Sequence, residues 1–567
     1  MDKTGQTKNE FTARPSRWLY DYGLVFIVYL LATSFTDAHM MADTADYVDS
    51  VNEYTKGIPY KFWEFGHLFW RPLGWAAYTI FKPLTSRVVG EDTVTGIVFT
   101  LLAINWLAGL LCVLSMRGLL GKVCERWWVA SLVTIAFIFS HGFLNYAQAG
   151  TSYTPGLAML LVGLYILVRG GEKAETSLWT PLAAGAALSM AVCMWFLYVW
   201  AIPATLLAPL FLFGTGRGQR RLVLQTALAC ALLTAAAYAV VLINLDIYTL
   251  TEMKAWMMDA GHGTRTWGVS RTVFGLPRSF IYMGNDGMLL KRYLLGDPFN
   301  SVSLGRLMLL SLWKLVLFYA LMLAMAVNLL RSQKGRRMLC LFMAYAAPII
   351  TFAIFFDGGA IERYLPLYPV VFMALACSLC FDKSSSLFRY AMLGALIVIA
   401  VVNVSAMSKS VLSKTQETIV VRIRDLQPRL NPQSFIYTVT WMDDLINLNR
   451  SFPMNPINRR GNLRVRALVT PGGANNSEWR EVFAAQALVI WDNGGEVWVS
   501  EQVRHTEPRS EWNWVEGDDR QVSWREFPEF FSRLKLGATS GGENGFSLLL
   551  PDEENRRILS EFARKKP

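Results

Sequence analysis

The sequence predicts a polytopic α-helical membrane protein of about eleven transmembrane helices, followed by a C-terminal soluble α/β domain. Three observations predict it. Of 567 residues, 53% are hydrophobic and 17% charged, whereas a typical soluble domain carries roughly 25% charged residues. The deficit is confined to residues 19–407, where apolar runs of the ~20 residues needed to cross a bilayer recur. Residues 408–567, by contrast, have the composition of an ordinary soluble domain.

Charge sets the orientation. A net charge of +11 raises the question of nucleic acid, but the basic residues fall in short loops between apolar runs. They are Arg14 and Arg17; Arg117, Lys122 and Arg126; Arg169 and Lys173; Arg217, Arg220 and Arg221; Arg331, Lys334, Arg336 and Arg337; and Lys383 with Arg389. Lys and Arg accumulate on the cytoplasmic side, so these loops and residues 1–18 are placed there and no nucleic-acid partner is expected. The first apolar run lacks a small-residue cleavage site and reads as an uncleaved helix.

Successive cytoplasmic loops must be separated by an even number of crossings. Between Arg17 and Arg117 lie three apolar stretches, 19–35, 67–84 and 93–116. The middle one holds Arg71, Pro72, Lys82 and Pro83. A mid-bilayer charge costs about 2.5–3.5 kcal/mol or more, so this segment is laid on the outer surface as an amphipathic helix. Further spans are expected at 128–147, 153–169, 180–200, 201–214, 222–245, 305–330, 339–356, 364–381 and 389–407. The pair 180–214 lacks a polar turn, and two short passes or a re-entrant hairpin both fit. The outer elements are then loops 36–92 and 246–304, the turn 357–364 and the C-terminal domain. The expected setting is a bacterial inner membrane with that domain periplasmic.

The seven cysteines all precede the tail, so it has no disulfide framework. Cys377 and Cys380 form a CxxC inside an apolar helix and read as small packing thiols.

Several candidate functional residues share the outer face. "MADTADYVDS" (41–50) follows the first span and opens an amphipathic helix marked by Tyr47, Val48, Val51 and Tyr54. Residues three apart share a helix face, so Asp43 and Asp46 point together, with Asp49 continuing that face and Asp37 just before. The bland alternative is an Asp43 N-cap closed by Asp46 in a capping box. "FWEFGHLFWRPLGWAAY" (62–78) sets Arg71 in a tryptophan-rich interfacial run. It is either a snorkelling side chain or a guanidinium that grips a phosphate. "FFDGGAIERYLPLYP" (355–369) brings Glu362, Arg363 and Tyr364 to the same face, where a charged turn is the plain alternative. The loop 246–304, with "DAGHGTRTWGVSRTVFGLPRS" and Arg265, suits either a mobile flap over a headgroup or a surface loop. His39, His67 and His262 are outer as well, but their spacing matches no local metal-ligand motif.

Taken together, Asp43-Thr-Ala-Asp46-Tyr47, then Arg71-Pro72-Leu73, then the late "RYLPLYP" resemble the GT-C superfamily of polytopic glycosyltransferases. That group includes protein O-mannosyltransferases and the lipid A aminoarabinose transferase. The family pattern is Asp-Glu-x-x-Tyr, Lys-Pro-Pro-Leu and Arg-Tyr-x-x-Pro. This chain departs from it in the position of its second acid and in Arg71 for Lys. The resemblance covers residues 19–407 and implies a polyprenyl-phosphate-linked sugar donor, inversion at the anomeric carbon, and an acceptor lipid, glycan or protein. It assigns Asp43, with Asp46 or Asp37, to catalysis, Arg71, Arg363 and Arg265 to the donor phosphate, and His67, Glu362, Tyr364 and Tyr47 to substrate. No cofactor is assigned, and the two Asp residues could instead bind a divalent cation through oxygen ligands. A lipid-linked polysaccharide polymerase or ligase is the alternative, as is a transporter with an exported binding domain. In the tail, "SFIYTV", "LRVRALV", "GEVWVSEQV" and "GFSLLL" read as strands, and "NSEWREVFAAQALVI" and "WREFPEFFSRL" as helices.

Overall fold

The computed structural model describes residues 15–38, 43–59, 61–90, 93–173, 177–259, 268–283, 301–380, 386–410, 433–440, 464–469, 476–507, 522–540 and 545–564, with isolated positions within 289–296 and at 426 and 430. Apolar runs fold as helices because a backbone in lipid must satisfy its own N–H and C=O groups. In chain order these are α1 (Pro15–Phe35), α2 (Thr44–Thr55), α3 (Trp70–Val89), α4 (Thr93–Val123), α5 (Trp127–Ile138), α6 (His141–Tyr146), α7 (Tyr153–Lys173), α8 (Trp179–Met194) and α9 (Ile202–Phe213). There follow α10 (Arg217–Asn244), α11 (Leu250–Asp259), α12 (Val269–Phe280), α13 (Leu304–Leu330), α14 (Gln333–Phe355), α15 (Tyr368–Cys380) and α16 (Ser386–Ala406). Among the described residues eight helices are long and apolar enough to cross a membrane, and Tyr20–Phe35, Trp127–Ile138 and Trp179–Met194 are shorter apolar helices. The chain is a multi-pass membrane protein.

The basic loops meet at one end of the bundle. Arg117 pairs with Asp21 at 3.0 Å, Lys122 with Glu172 at 2.7 Å and Lys334 with Glu125 at 3.6 Å, and Gln219 donates to the Gly171 carbonyl at 3.0 Å. A disulfide joins Cys124 to Cys380, 256 residues apart. Cys380 is therefore not the packing thiol expected of it, because bundling brings it a partner that local spacing could not reveal. Cys377 is a buried free thiol.

The opposite end holds α2, α3 and the junction where Thr36 bridges Ser408. α3 packs against α4 near its start. A Cβ on Gly74 would meet Leu101, and one on Gly96 would meet Tyr78 and Thr85. Ile80, Phe81, Leu84 and Val88 leave an exposed apolar stripe, the pattern of a helix lying in an interface.

One span differs from expectation. The run 128–147 is one apolar stretch in sequence, yet it breaks at Phe139–Ser140 into α5 and α6. The Asn403 amide donates to the Phe139 carbonyl at 2.7 Å and to the Phe280 carbonyl at 2.8 Å, satisfying backbone that the break frees. The pair 180–214 is two legs alongside α7. Trp195, after α8, packs on Tyr153 at the start of α7, and Phe213, the last residue of α9, packs beside Gly171 near its end.

The C-terminal unit is a five-stranded mixed sheet in the order β2-β1-β3-β5-β4. Its strands are β1 (Phe435–Thr440), β2 (Val465–Val469), β3 (Val497–Ser500), β4 (Leu536–Ser540) and β5 (Phe546–Leu549). β1 lies parallel to both β2 and β3, while β5 is antiparallel to β3 and β4. Helices α17 (Trp479–Asp492), α18 (Glu526–Phe531) and α19 (Glu553–Ala563) accompany it. Trp479, Phe483, Trp524, Phe527, Phe530 and Phe531 form an aromatic core with strand valines. β4 was not expected, since "LGATS" lacks branched apolar residues; its pairing with β5 makes it a strand.

Candidate active site

The site is built where α2 meets the connection between α6 and α7. Thr44, the first residue of α2, donates its hydroxyl to the Ala149 carbonyl, and Gly150 turns the chain with φ of 66°. This pins the start of α2 against the start of α7. Asp43 stands at the N-cap position, but its carboxylate makes no capping hydrogen bond. Instead it accepts from the Tyr153 hydroxyl. The capping alternative for Asp43 therefore fails: the carboxylate is aimed away from its own helix.

Tyr153 is the hub. Its ring lies 4.9 Å from Tyr146, 4.6 Å from Trp195 and 6.0 Å from His67. The Tyr146 hydroxyl donates to Glu362 at 2.8 Å. Beside Glu362, the Arg363 guanidinium sits 5.9 Å from the Trp195 ring. Its Nε is buried without a hydrogen-bond partner, and among the described residues no carboxylate lies within ion-pair distance of it. An acid and a cation thus approach one aromatic cluster from elements more than 300 residues apart.

Close packing sets the position of Glu362 and Arg363. A Cβ on Gly275 of α12 would overlap the Gly358 carbonyl, and one on Gly358 would overlap Thr272. The Tyr364 hydroxyl donates to the Gly358 carbonyl at 2.6 Å, and Arg278 donates to the Gly359 carbonyl at 3.3 Å. Tyr364 is fully buried, so it holds this turn rather than lining open space.

A second group adjoins the first. Arg71 is 3% exposed and ion-paired to Glu64, with its guanidinium 4.8 Å from the Tyr47 ring. His67 shares a 2.7 Å hydrogen bond with Ser152 and sets its ring 5.4 Å from that of Tyr47. Burial pushes the imidazole below its usual pKa, against the pull of Glu64 and Asp43.

The remaining expected residues lie elsewhere. Asp46 is exposed on the first turn of α2. Asp37 sits at the α1–α16 junction, where its amide donates to the Met407 carbonyl at 3.0 Å and its carboxylate accepts from Ala38 N at 2.8 Å. Burial raises its pKa, opposed by that hydrogen bond and by Lys409. Arg265, His262 and His39 lie outside the described residues. Among the described residues, no group of three His, Cys, Asp or Glu side chains is arranged to hold a metal ion.

Sequence reasoning missed Tyr146, Ser152, Tyr153, Trp195 and Glu64. The available signal was the string 145–156, in which Asn145, Thr151, Ser152 and Thr154 are all buried between two apolar runs.

No protein-family model matches the chain, and no curated protein matches it. Solved structures do resemble it. ArnT from Cupriavidus metallidurans in the apo state is 12% identical, with TM-score 0.49, over 94% of this chain and 98% of that one. The same protein bound to undecaprenyl phosphate is 13% identical, with TM-score 0.47 and the same coverage. The archaeal oligosaccharyltransferase AglB from Archaeoglobus fulgidus, in complex with an inhibitory peptide and a dolichol-phosphate, is 13% identical with TM-score 0.46, over 95% of this chain and 75% of that one. The likeness is one of fold.

Proposed function

We propose that the chain is an inverting glycosyltransferase of the GT-C type, moving a sugar from a polyprenyl-phosphate carrier to an acceptor hydroxyl at the membrane face opposite its basic loops. The observation that carries this reading is the convergence of Asp43 and Arg363 on the Tyr153–Trp195 cluster. Transfer from a lipid phosphate needs a base for the acceptor and fixed positive charge for the leaving group.

In this reading Asp43 takes the acceptor proton as the hydroxyl oxygen attacks the anomeric carbon. The bond from that carbon to the phosphate oxygen breaks, its electron pair stays on oxygen, and polyprenyl phosphate departs. Arg363 stabilises the charge gained by the phosphate. Tyr153 orients the Asp43 carboxylate, and Tyr146 does the same for Glu362, which contacts sugar hydroxyls. Arg71, ion-paired with Glu64, holds Tyr47, and with it His67, in the wall beside them. No step is assigned to Asp37, Asp46 or a metal.

The test is turnover of a purified polyprenyl-phosphate sugar by the full chain in the presence of membrane extract. Wild-type protein should release polyprenyl phosphate, and Asp43→Asn should lower kcat by about 100-fold or more, the range expected for loss of a general base, with unchanged expression. Full activity in that variant removes Asp43 as the base.

A further inference from the structure

A cleft at the basic end of the bundle plays no part in the proposed transfer. It lies between α1, α4 and α7, has a volume of about 650 Å³, and is lined by Tyr22, Leu114, Ser115, Lys122, Tyr165 and Arg169. Arg169 follows Tyr153 on α7 by sixteen residues, about 24 Å along the helix axis. The cleft is therefore a separate place on the other side of the bundle.

Its lining has a definite chemistry. Lys122 is paired with Glu172 at 2.7 Å. Arg117, whose guanidinium is 5.8 Å from the Tyr22 ring, is paired with Asp21 at 3.0 Å. Arg169 is exposed, and among the described residues no carboxylate is paired with it. A Cβ on Gly118 would lie 3.0 Å from the Tyr165 ring and 3.2 Å from the Tyr22 hydroxyl, so the two tyrosines close over α4 because a glycine is there. The lining is thus a guanidinium with no carboxylate partner among the described residues, a paired ammonium, two phenols and a serine hydroxyl, with Leu114 as an apolar wall.

An anion is the complement of such a lining. A guanidinium presents parallel N–H groups that match two phosphate oxygens, and phenol and serine hydroxyls donate to the others. The position argues for a lipid rather than a soluble anion. The cleft is walled by three bundle helices at their basic ends, which is headgroup depth, and its aromatic and leucine surfaces suit glycerol and acyl carbons. Basic pockets between transmembrane helices are a known setting for anionic headgroups.

We propose that this cleft binds the phosphate headgroup of an anionic membrane lipid, with Arg169 as the anchoring cation and Tyr165 and Ser115 as hydroxyl donors. The site is independent of the glycosyltransferase reading and stands or falls separately.

The experiment is native mass spectrometry of the full chain in detergent, titrated with short-chain phosphatidic acid, phosphatidylglycerol or phosphatidylcholine. Inorganic phosphate is added as competitor in a further arm. Wild-type protein should retain one anionic lipid about tenfold more tightly than phosphatidylcholine. Arg169→Gln should weaken that retention about tenfold, since one charge-assisted contact is lost, and Tyr165→Phe should weaken it severalfold with charge unaltered. Arg336→Gln, on the same basic face but outside the cleft, should leave it unchanged. Equal retention of phosphatidylcholine overturns the proposal, as does equal loss in Arg336→Gln, which would mean diffuse attraction. Displacement by millimolar inorganic phosphate would mark a soluble-anion site instead, and undiminished binding by folded Arg169→Gln and Tyr165→Phe variants would place the lipid elsewhere.

Discussion

A carboxylate at the start of a helix normally satisfies the helix's own free N–H groups. Asp43 forgoes that role, and its partner is a tyrosine on a different helix. The two guanidiniums differ in the same instructive way. Arg71 is enclosed with Glu64, whereas Arg363 lies against an aromatic face and, among the described residues, has no carboxylate within ion-pair distance. Arg363→Gln should therefore raise the KM for the lipid-linked donor about tenfold or more, as expected when a charged hydrogen bond is lost; unchanged donor kinetics would exclude it from phosphate binding. Arg71 should show itself first in stability. Removing one partner of a buried ion pair strands the other and costs about 3–5 kcal/mol, so Glu64→Gln should lower the melting temperature in detergent sharply. Glu64→Gln combined with Arg71→Met should recover part of that loss. Equal melting of Glu64→Gln and wild type would show that the pair is not enclosed in solution.

At the scale of elements, the site depends on two connections rather than on whole helices. The turn 357–360 is clamped by α12 so closely that Gly275 and Gly358 admit no Cβ. Gly275→Ala must push the turn outward and carry Glu362 and Arg363 with it. A displacement of about 1 Å near the chemistry is enough to cost about 100-fold in rate, so this variant should fold, insert and lose most of its turnover. Retained activity would mean that the turn tolerates movement. The other connection, 147–152, was hidden in the sequence because it joins two apolar stretches and carries neither charge nor proline. Asp43, Tyr47, His67, Glu362 and Arg363 stood out in the sequence because they are polar or amphipathic groups at the ends of apolar runs. Tyr146, Tyr153 and Trp195 did not, because tyrosine and tryptophan are the ordinary residues of membrane interfaces and nothing local marks these three as neighbours.

For the whole molecule, the contacts Arg117–Asp21, Lys122–Glu172 and Lys334–Glu125 gather the basic loops at one end, while Asp43, Glu362 and the Thr36–Ser408 bridge gather at the other. A compartment-sensitive reporter fused after residue 84 should thus report the face opposite to one fused after residue 173. Identical readouts would mean that α3 crosses the membrane. The sequence by itself determined that this is a membrane bundle with an α/β tail, which apolar runs begin where, and on which side the charges collect. Those properties follow from transferring local segments into lipid, and each segment reports its own cost. Only the tertiary structure decided that α5 and α6 separate, that Asp43 turns to Tyr153, that Arg71 pairs with Glu64 while Arg363 faces Trp195, and that Cys380 meets Cys124. Each of those outcomes is a contact between helices distant along the chain, fixed by how their surfaces pack.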